Sequence, residues 1–203
     1  FNSIDKHSNR LTFIVIINSY TYSIIEKLRD LKRIFSHIIS LSIVDARSIE
    51  KMIWSRHLSG GLKISLGNKS EDSFHTWDFA RLFSKYFKSS HGFINTAMYN
   101  WINNIIEIED KNIKIRKPES LSINLFNSLN DNELWVLQSF IIHKQVNTAK
   151  LSKITDLESS FINRKLIEML RIGIIEEKGK DIYEISPLLT PMIIQLLKSK
   201  KYL

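Results

Sequence analysis

Apolar residues fall along this chain in two patterns. Leu11–Ile17 is an apolar run rich in β-branched residues, and Ile38–Ile43, interrupted by Ser40 and Ser42, is again strand-like. The first run predicts a strand buried on both faces, as in a parallel sheet, and the second a further strand. Between them, Ile24, Ile25, Leu28 and Leu31 recur at helical spacing, so Tyr22–Ile34 is expected to be a helix. Asp45 is a predicted N-cap, and Ile49, Met52 and Ile53 continue a helical stripe to about His57. Strand, helix, strand, helix predicts an α/β layer over 1–57.

After Ser59-Gly60-Gly61 the pattern changes. Residues 66–73 are polar and predict a loop. Phe74–Lys88 and Phe93–Ile108 both carry helical stripes, so 58–117 is expected to be helical, with a short extended piece at Ile113–Lys117 before Pro118. Ser- and Asn-rich residues 118–130 predict a connector. In 131–203, Asp131 is expected to cap Glu133–His143, and Thr148 a short helix through Ile154. Ser159 or Ser160 opens Phe161–Arg171, which Gly173 closes. Ile174–Lys178 and Asp181–Ile185 predict a two-stranded hairpin around Gly179, and Pro187 precedes a last helix. Three helices followed by a hairpin is the winged-helix order. The expected class is therefore mainly α with small β.

Composition narrows this picture modestly. The net charge is +8 over 203 residues, a sign that suits nucleic acid or anionic surfaces. It is spread, with a small excess in every third and no dense patch. The absence of Cys excludes a disulfide framework and a thiolate metal site, and fits a reducing, cytoplasmic setting. No apolar run approaches the roughly 20 residues that span a bilayer. His residues are scattered without metal-ligand spacing, and no Ser-His-Asp, Cys-His or paired-carboxylate arrangement has supporting context. Gly61–Ser70 has two Gly and a Lys-Ser but the wrong spacing for a phosphate loop, and no Gly-x-x-x-x-Gly-Lys-Ser/Thr occurs anywhere. The four Trp, at 54, 77, 101 and 135, are expected in core packing.

The order strand–Asn18, helix, Arg33-Ile-Phe35, strand, helical middle and winged helix resembles the C-terminal part of an AAA+ or STAND-type P-loop ATPase. Origin-recognition ATPases and bacterial signalling or defence ATPases share that plan. As architecture the resemblance covers essentially the whole chain; as motif it reaches a few positions. It implies the tail of a nucleotide-binding core (1–57), a helical lid (58–117) and a winged helix (131–203). The Walker motifs, with ATP and Mg, would lie in a missing N-terminal part.

Asn18 then falls where the family carries a sensor-1 polar residue that orients the attacking water; it equally fits a strand end that satisfies loose backbone groups. Arg33 falls near an arginine-finger position, or is a solvated helix residue beside Lys27, Arg29 and Lys32, with Arg29 the fallback. Arg56, in Arg56-His57 ahead of Ser59-Gly60, is implied to touch nucleotide or to brace the lid. Ser89–Ile108 lacks the sensor-2 Arg that the family usually offers there, which points to a slow switch. On the outward side of Phe161–Arg171, Asn163, Arg164 and Lys165 are candidates for DNA contact or for contact with a protein partner. The implied function is a nucleotide-dependent regulatory switch, with a homo-oligomer among its candidate assemblies and no activity from this chain alone. The alternatives are a winged-helix DNA-binding protein of replication or transposition machinery, and a non-enzymatic interaction module.

Overall fold

The computed structural model describes residues 2–7, 9–35, 37–67, 69–119, 126 and 128–203. It is mainly helical, with one small mixed sheet and one small antiparallel sheet. Two hydrophobic cores organise it. The first gathers Ile49, Ile53, Ile64, Leu82, Phe83, Tyr86, Ala97, Trp101, Ile113 and Ile115. The second is built almost wholly from residues beyond 126. Most of the predicted connector, 120–125 and 127, lies outside the described residues, as does Asn68 of the rejected phosphate loop.

The first body begins at helix α4 (Ala46–Ser59), after short helices α1 (Asn2–His7), α2 (Ser19–Leu28) and α3 (Leu31–Ile34). Asp45 caps α4 by accepting from the Ser48 N–H at 2.7 Å, as its position predicts. That bond, made by side chain and backbone alike, holds the Asp45 carboxyl below the usual carboxylate range. Ile49 and Ile53 put α4 into one core with α5 (Thr76–Ser90) and α6 (Ile94–Asn103).

The middle is not all helical. The strands β1 (Lys63–Leu66), β2 (Lys69–Ser70), β3 (Ile105–Glu109) and β4 (Asn112–Ile115) form one sheet in the order β2-β1-β4-β3. The predicted helix Phe93–Ile108 stops at Asn103, because Ile105–Glu109 folds back on Asn112–Ile115 through the turn at Asp110, whose φ is +51°. In β4 burial alternates, Ile113 and Ile115 inward and Asn112 and Lys114 outward. That is the period-2 signature of a half-buried strand, readable only once its partners are known.

The second body follows the expected order closely. It consists of α7 (Asp131–His143), α8 (Thr148–Thr155), α9 (Ser159–Arg171), β5 (Ile175–Gly179), β6 (Ile182–Ile185) and α10 (Thr190–Ser199). The caps sit one residue earlier than predicted. Asn130, not Asp131, makes a reciprocal capping box with Glu133, and Asn147, not Thr148, caps α8. Gly173 adopts φ +73° and closes α9 by sending the Ile174 N–H back to the Met169 carbonyl. Between α7 and α8, Val146 pairs antiparallel with Tyr183 of β6, adding one rung to the hairpin.

The two predicted N-terminal strands do not form. Leu11–Ile17 and Ile38–Ile43 have no regular structure and pair with nothing among the described residues. Ile14 is 84%, Ile16 93%, Ile39 88% and Leu41 92% exposed. A strand meant to be buried on both faces needs neighbours on both edges, and this chain folds its other strands into sheets elsewhere.

Candidate functional site

The predicted site residues are carried by three separate elements, and no hydrogen bond or ion pair joins any two of Asn18, Arg33 and Arg56. Asn18 has the best-defined surroundings. Its Oδ1 accepts from the Tyr20 N–H at 2.8 Å and caps α2, while its Nδ2 donates to the Ile141 carbonyl at 2.7 Å. Thr21 Oγ1 donates to the next carbonyl, Ile142, at 2.6 Å. The last four carbonyls of a helix have no partner within it. In α7 they are all satisfied: Phe140 by the Lys144 N–H, Ile141 by Asn18, Ile142 by Thr21 and His143 by the Gln145 N–H. Tyr20 completes the contact, packing on the second core beneath the Lys198 ammonium, 5.5 Å from its ring. Asn18 therefore ends the apolar run Leu11–Ile17 by fastening it to the second body.

The second apolar run is fastened to the first body. The Val44 N–H donates to the Gly92 carbonyl at 3.3 Å. Gly92 has φ +78°, and a Cβ there would meet the Val44 carbonyl oxygen at 2.8 Å. Glycine is thus required twice at this position, for its backbone conformation and for the close approach. Arg33 lies exposed in the single turn of α3, and Arg56 is exposed in the last turn of α4. Its neighbour His57 is buried in the first core. It stacks on Trp54 at 5.1 Å with Nε2 3.6 Å from Glu71 Oε2. Of the four Trp, Trp101 is buried and Trp54 half-buried. Trp77 and Trp135 are 55% and 51% exposed, which departs from the expectation of core packing. Lys69 covers the Trp77 ring at 5.3 Å, and Tyr202 meets Trp135 edge-on.

The outward side of α9 divides its three candidates. Asn163 and Arg164 are exposed, with the Arg164 guanidinium 5.6 Å from the Phe161 ring. Lys165 turns inward to two carboxylates, Glu168 Oε2 at 2.7 Å and Glu133 Oε1 at 2.9 Å. These bonds, Glu168 foremost, hold the Lys165 ammonium above its usual value and the Glu168 carboxyl below its own. Because Glu133 also closes the Asn130 capping box, Lys165 ties α9 to the start of α7. Lys178 on the hairpin is likewise held by Glu176 at 2.7 Å and Glu184 at 3.3 Å. The outer face of α9 instead carries Ile167, half exposed, and at its end Ile172, 67% exposed.

The two bodies meet along α6. Thr96, fully buried, donates to the Pro187 carbonyl at 2.6 Å, and Phe93 packs against the second core. His91, at the end of α5, meets Gln195 of α10 at 2.9 Å. Nothing in local spacing signals these pairs, whose members stand far apart in the chain; the buried Thr on an apolar helix face is the one hint. Among the described residues no group of His, Asp and Glu is arranged to hold a metal ion, and no helix is long and apolar enough to cross a membrane. No family model, curated protein or solved structure matches this chain.

Proposed function

We propose that this chain is the C-terminal portion of an ATP-binding AAA+/STAND-type regulatory ATPase that works as a nucleotide-dependent switch. One observation carries the reading. Two β-branched apolar runs stand uncovered, and each leads straight into a docked anchor, Asn18 on α7 and Val44 on Gly92. Segments of that composition favour sheet neighbours, and exposed apolar surface on this scale marks an interaction site. In the proposal the neighbours are the strands of the preceding nucleotide-binding part, with its ATP and Mg. Residues 58–117 act as the lid and 131–203 as a winged helix. The order α7, Val146 rung, α8, α9, β5–β6 supports the last assignment. Because one anchor lies on each body, a change in the core would pull on both, a hinge-type switch.

For the winged helix, contact with a protein partner is the better-supported role. Lys165 and Lys178 are neutralised by carboxylates, and Ile167 sits on the outer face of α9. A surface that reads DNA keeps its cations free for phosphates.

The test has two arms. The isolated chain should neither turn over ATP nor lose Ile14, Ile16, Ile39 and Leu41 from solvent, whereas a chain extended upstream through a Gly-x-x-x-x-Gly-Lys-Ser/Thr motif should do both. ATP turnover by the isolated chain, or an upstream sequence without that motif, overturns the proposal. A salt titration with duplex DNA separates the alternative: a steep loss of affinity with salt would establish phosphate contacts and favour the DNA-binding reading.

A further inference from the structure

The cleft between the two bodies holds a polar arrangement that the ATPase reading does not use. Its cavity, about 180 Å³, is walled on one side by α5, α6 and the residues after β4, and on the other by Leu188 and Met192 of the second body. A chain of side-chain bonds runs along the first wall. Asn100 Nδ2 donates to Ser89 Oγ at 3.1 Å, and Asn104 Nδ2 donates to the Asn100 carbonyl at 2.7 Å. Asn104, itself only 7% exposed, then grips Arg116 twice: Oδ1 accepts from the Arg116 Nε–H at 3.0 Å, and its carbonyl from the Arg116 backbone N–H at 2.9 Å. The guanidinium of Arg116, an exposed residue lining the cleft, is thereby held at Nε, and its two terminal amino groups make no hydrogen bond or ion pair among the described residues.

Charge at the site is unbalanced. Lys88 and Arg116 line the cavity and neither makes an ion pair among the described residues, although Lys63, Lys69, Lys114, Lys165 and Lys178 all do. Glu119 also lines the cavity and makes no ion pair with either cation among the described residues. A pre-oriented guanidinium fork recognises a planar or tetrahedral oxyanion by two parallel bonds. The opposite wall is apolar. Site volume and wall chemistry together fit a small ligand with an anionic head and a compact apolar body, below the usual drug-sized range of roughly 300–1,000 Å³.

We propose that this cleft binds a small organic anion, a phosphate or carboxylate on an apolar body, with Arg116 and Lys88 on its head and Leu188 and Met192 on its body. Such a ligand would bridge the bodies beside the Thr96–Pro187 contact. Ligand binding at this cleft does not depend on an ATPase core.

Phenyl phosphate, benzoate, inorganic phosphate and neutral benzyl alcohol, titrated into the 203-residue chain with side-chain amide and Arg Nε–H signals followed by NMR, test it. Phenyl phosphate or benzoate should saturate and move the Asn100, Asn104 and Arg116 side-chain signals, and whichever does so identifies the head group. Inorganic phosphate should bind more weakly and benzyl alcohol should leave those signals in place. Lys88→Ala, at an exposed position, should weaken binding several-fold, and Arg116→Lys, which keeps the charge but loses the fork, about tenfold. No saturable shift with either organic anion overturns the proposal, as does unchanged affinity in both variants or equal binding of benzyl alcohol.

Discussion

Ile14-Val-Ile-Ile17 and the run through Ile174 and Ile175 are short stretches of the same residue type, yet they end in opposite environments. Ile14 and Ile16 are 84% and 93% exposed; Ile174 and Ile175 are 2% and 1%. The second run gains its burial from neighbours that the chain itself supplies: β6 across the hairpin, α9 just before it and the shared second core. The first run is followed by a helix docked on another body, and no strand among the described residues lies beside it. β-propensity is a statement about fitting a half-buried pleated surface, so composition alone cannot say whether that surface exists.

The strongest way to break this contrast is to remove one apolar side chain from each region. Leu151→Ala, in the fully buried second core, should cost about 2–5 kcal/mol through lost transfer energy and the cavity left behind. Ile16→Ala should stay within about 0.5 kcal/mol. Urea unfolding of both variants decides the matter, and comparable losses would mean that the N-terminal run is covered after all.

The anchors come next. Gly92→Ala places a Cβ 2.8 Å from the Val44 carbonyl oxygen at φ +78°, and is expected to cost about 1–3 kcal/mol. Its signature should be local: faster hydrogen exchange at the Val44 amide, with the second body's amides as protected as before. Asn18→Ala strips the cap of α2 and leaves the Ile141 carbonyl without its partner, for about 1–2 kcal/mol. Here the exchange should rise in α2 and in the last turn of α7. An Asn18 variant with unchanged stability would argue that the side chain is held for some purpose other than anchoring.

Much of the second body was legible before any coordinates. Asp131 and Thr148 mark the starts of α7 and α8 to within one residue, Gly173 marks the end of α9, and helical stripes between them have one interpretation. Register within one residue was the limit, because Asn130 and Asp131 are equally good caps by type. In the first body the same logic misled at Phe93–Ile108, where an apolar stripe ran on through Ile105, Ile106 and Ile108 into what became β3. A run of Ile suits either period, and the Asp110 turn that settles it is a single residue.

The candidate sites divide along the same line. Asn163 and Arg164 are exposed, as the outward side of their helix predicts, and Arg56 is exposed in the last turn of α4. Lys165 looked equally outward until Glu133, on another helix, claimed it. The Asn104–Arg116 grip has no signature at all, since its members belong to different elements joined by a hairpin.

By itself the sequence determined what depends on near neighbours: the caps to within one residue, the helical stripes of α4, α5 and α7 to α10, the β5–β6 hairpin, the spread positive charge and the missing phosphate loop. These are set within a few residues by backbone hydrogen bonding and side-chain period. Tertiary structure alone decided which apolar runs were buried, which lysines were neutralised, that Asn18 closes a helix more than a hundred residues away, and that Arg116 is left facing a cleft. Those outcomes depend on which surfaces and charges meet across the fold, and burial and pairing are properties of the meeting rather than of either residue.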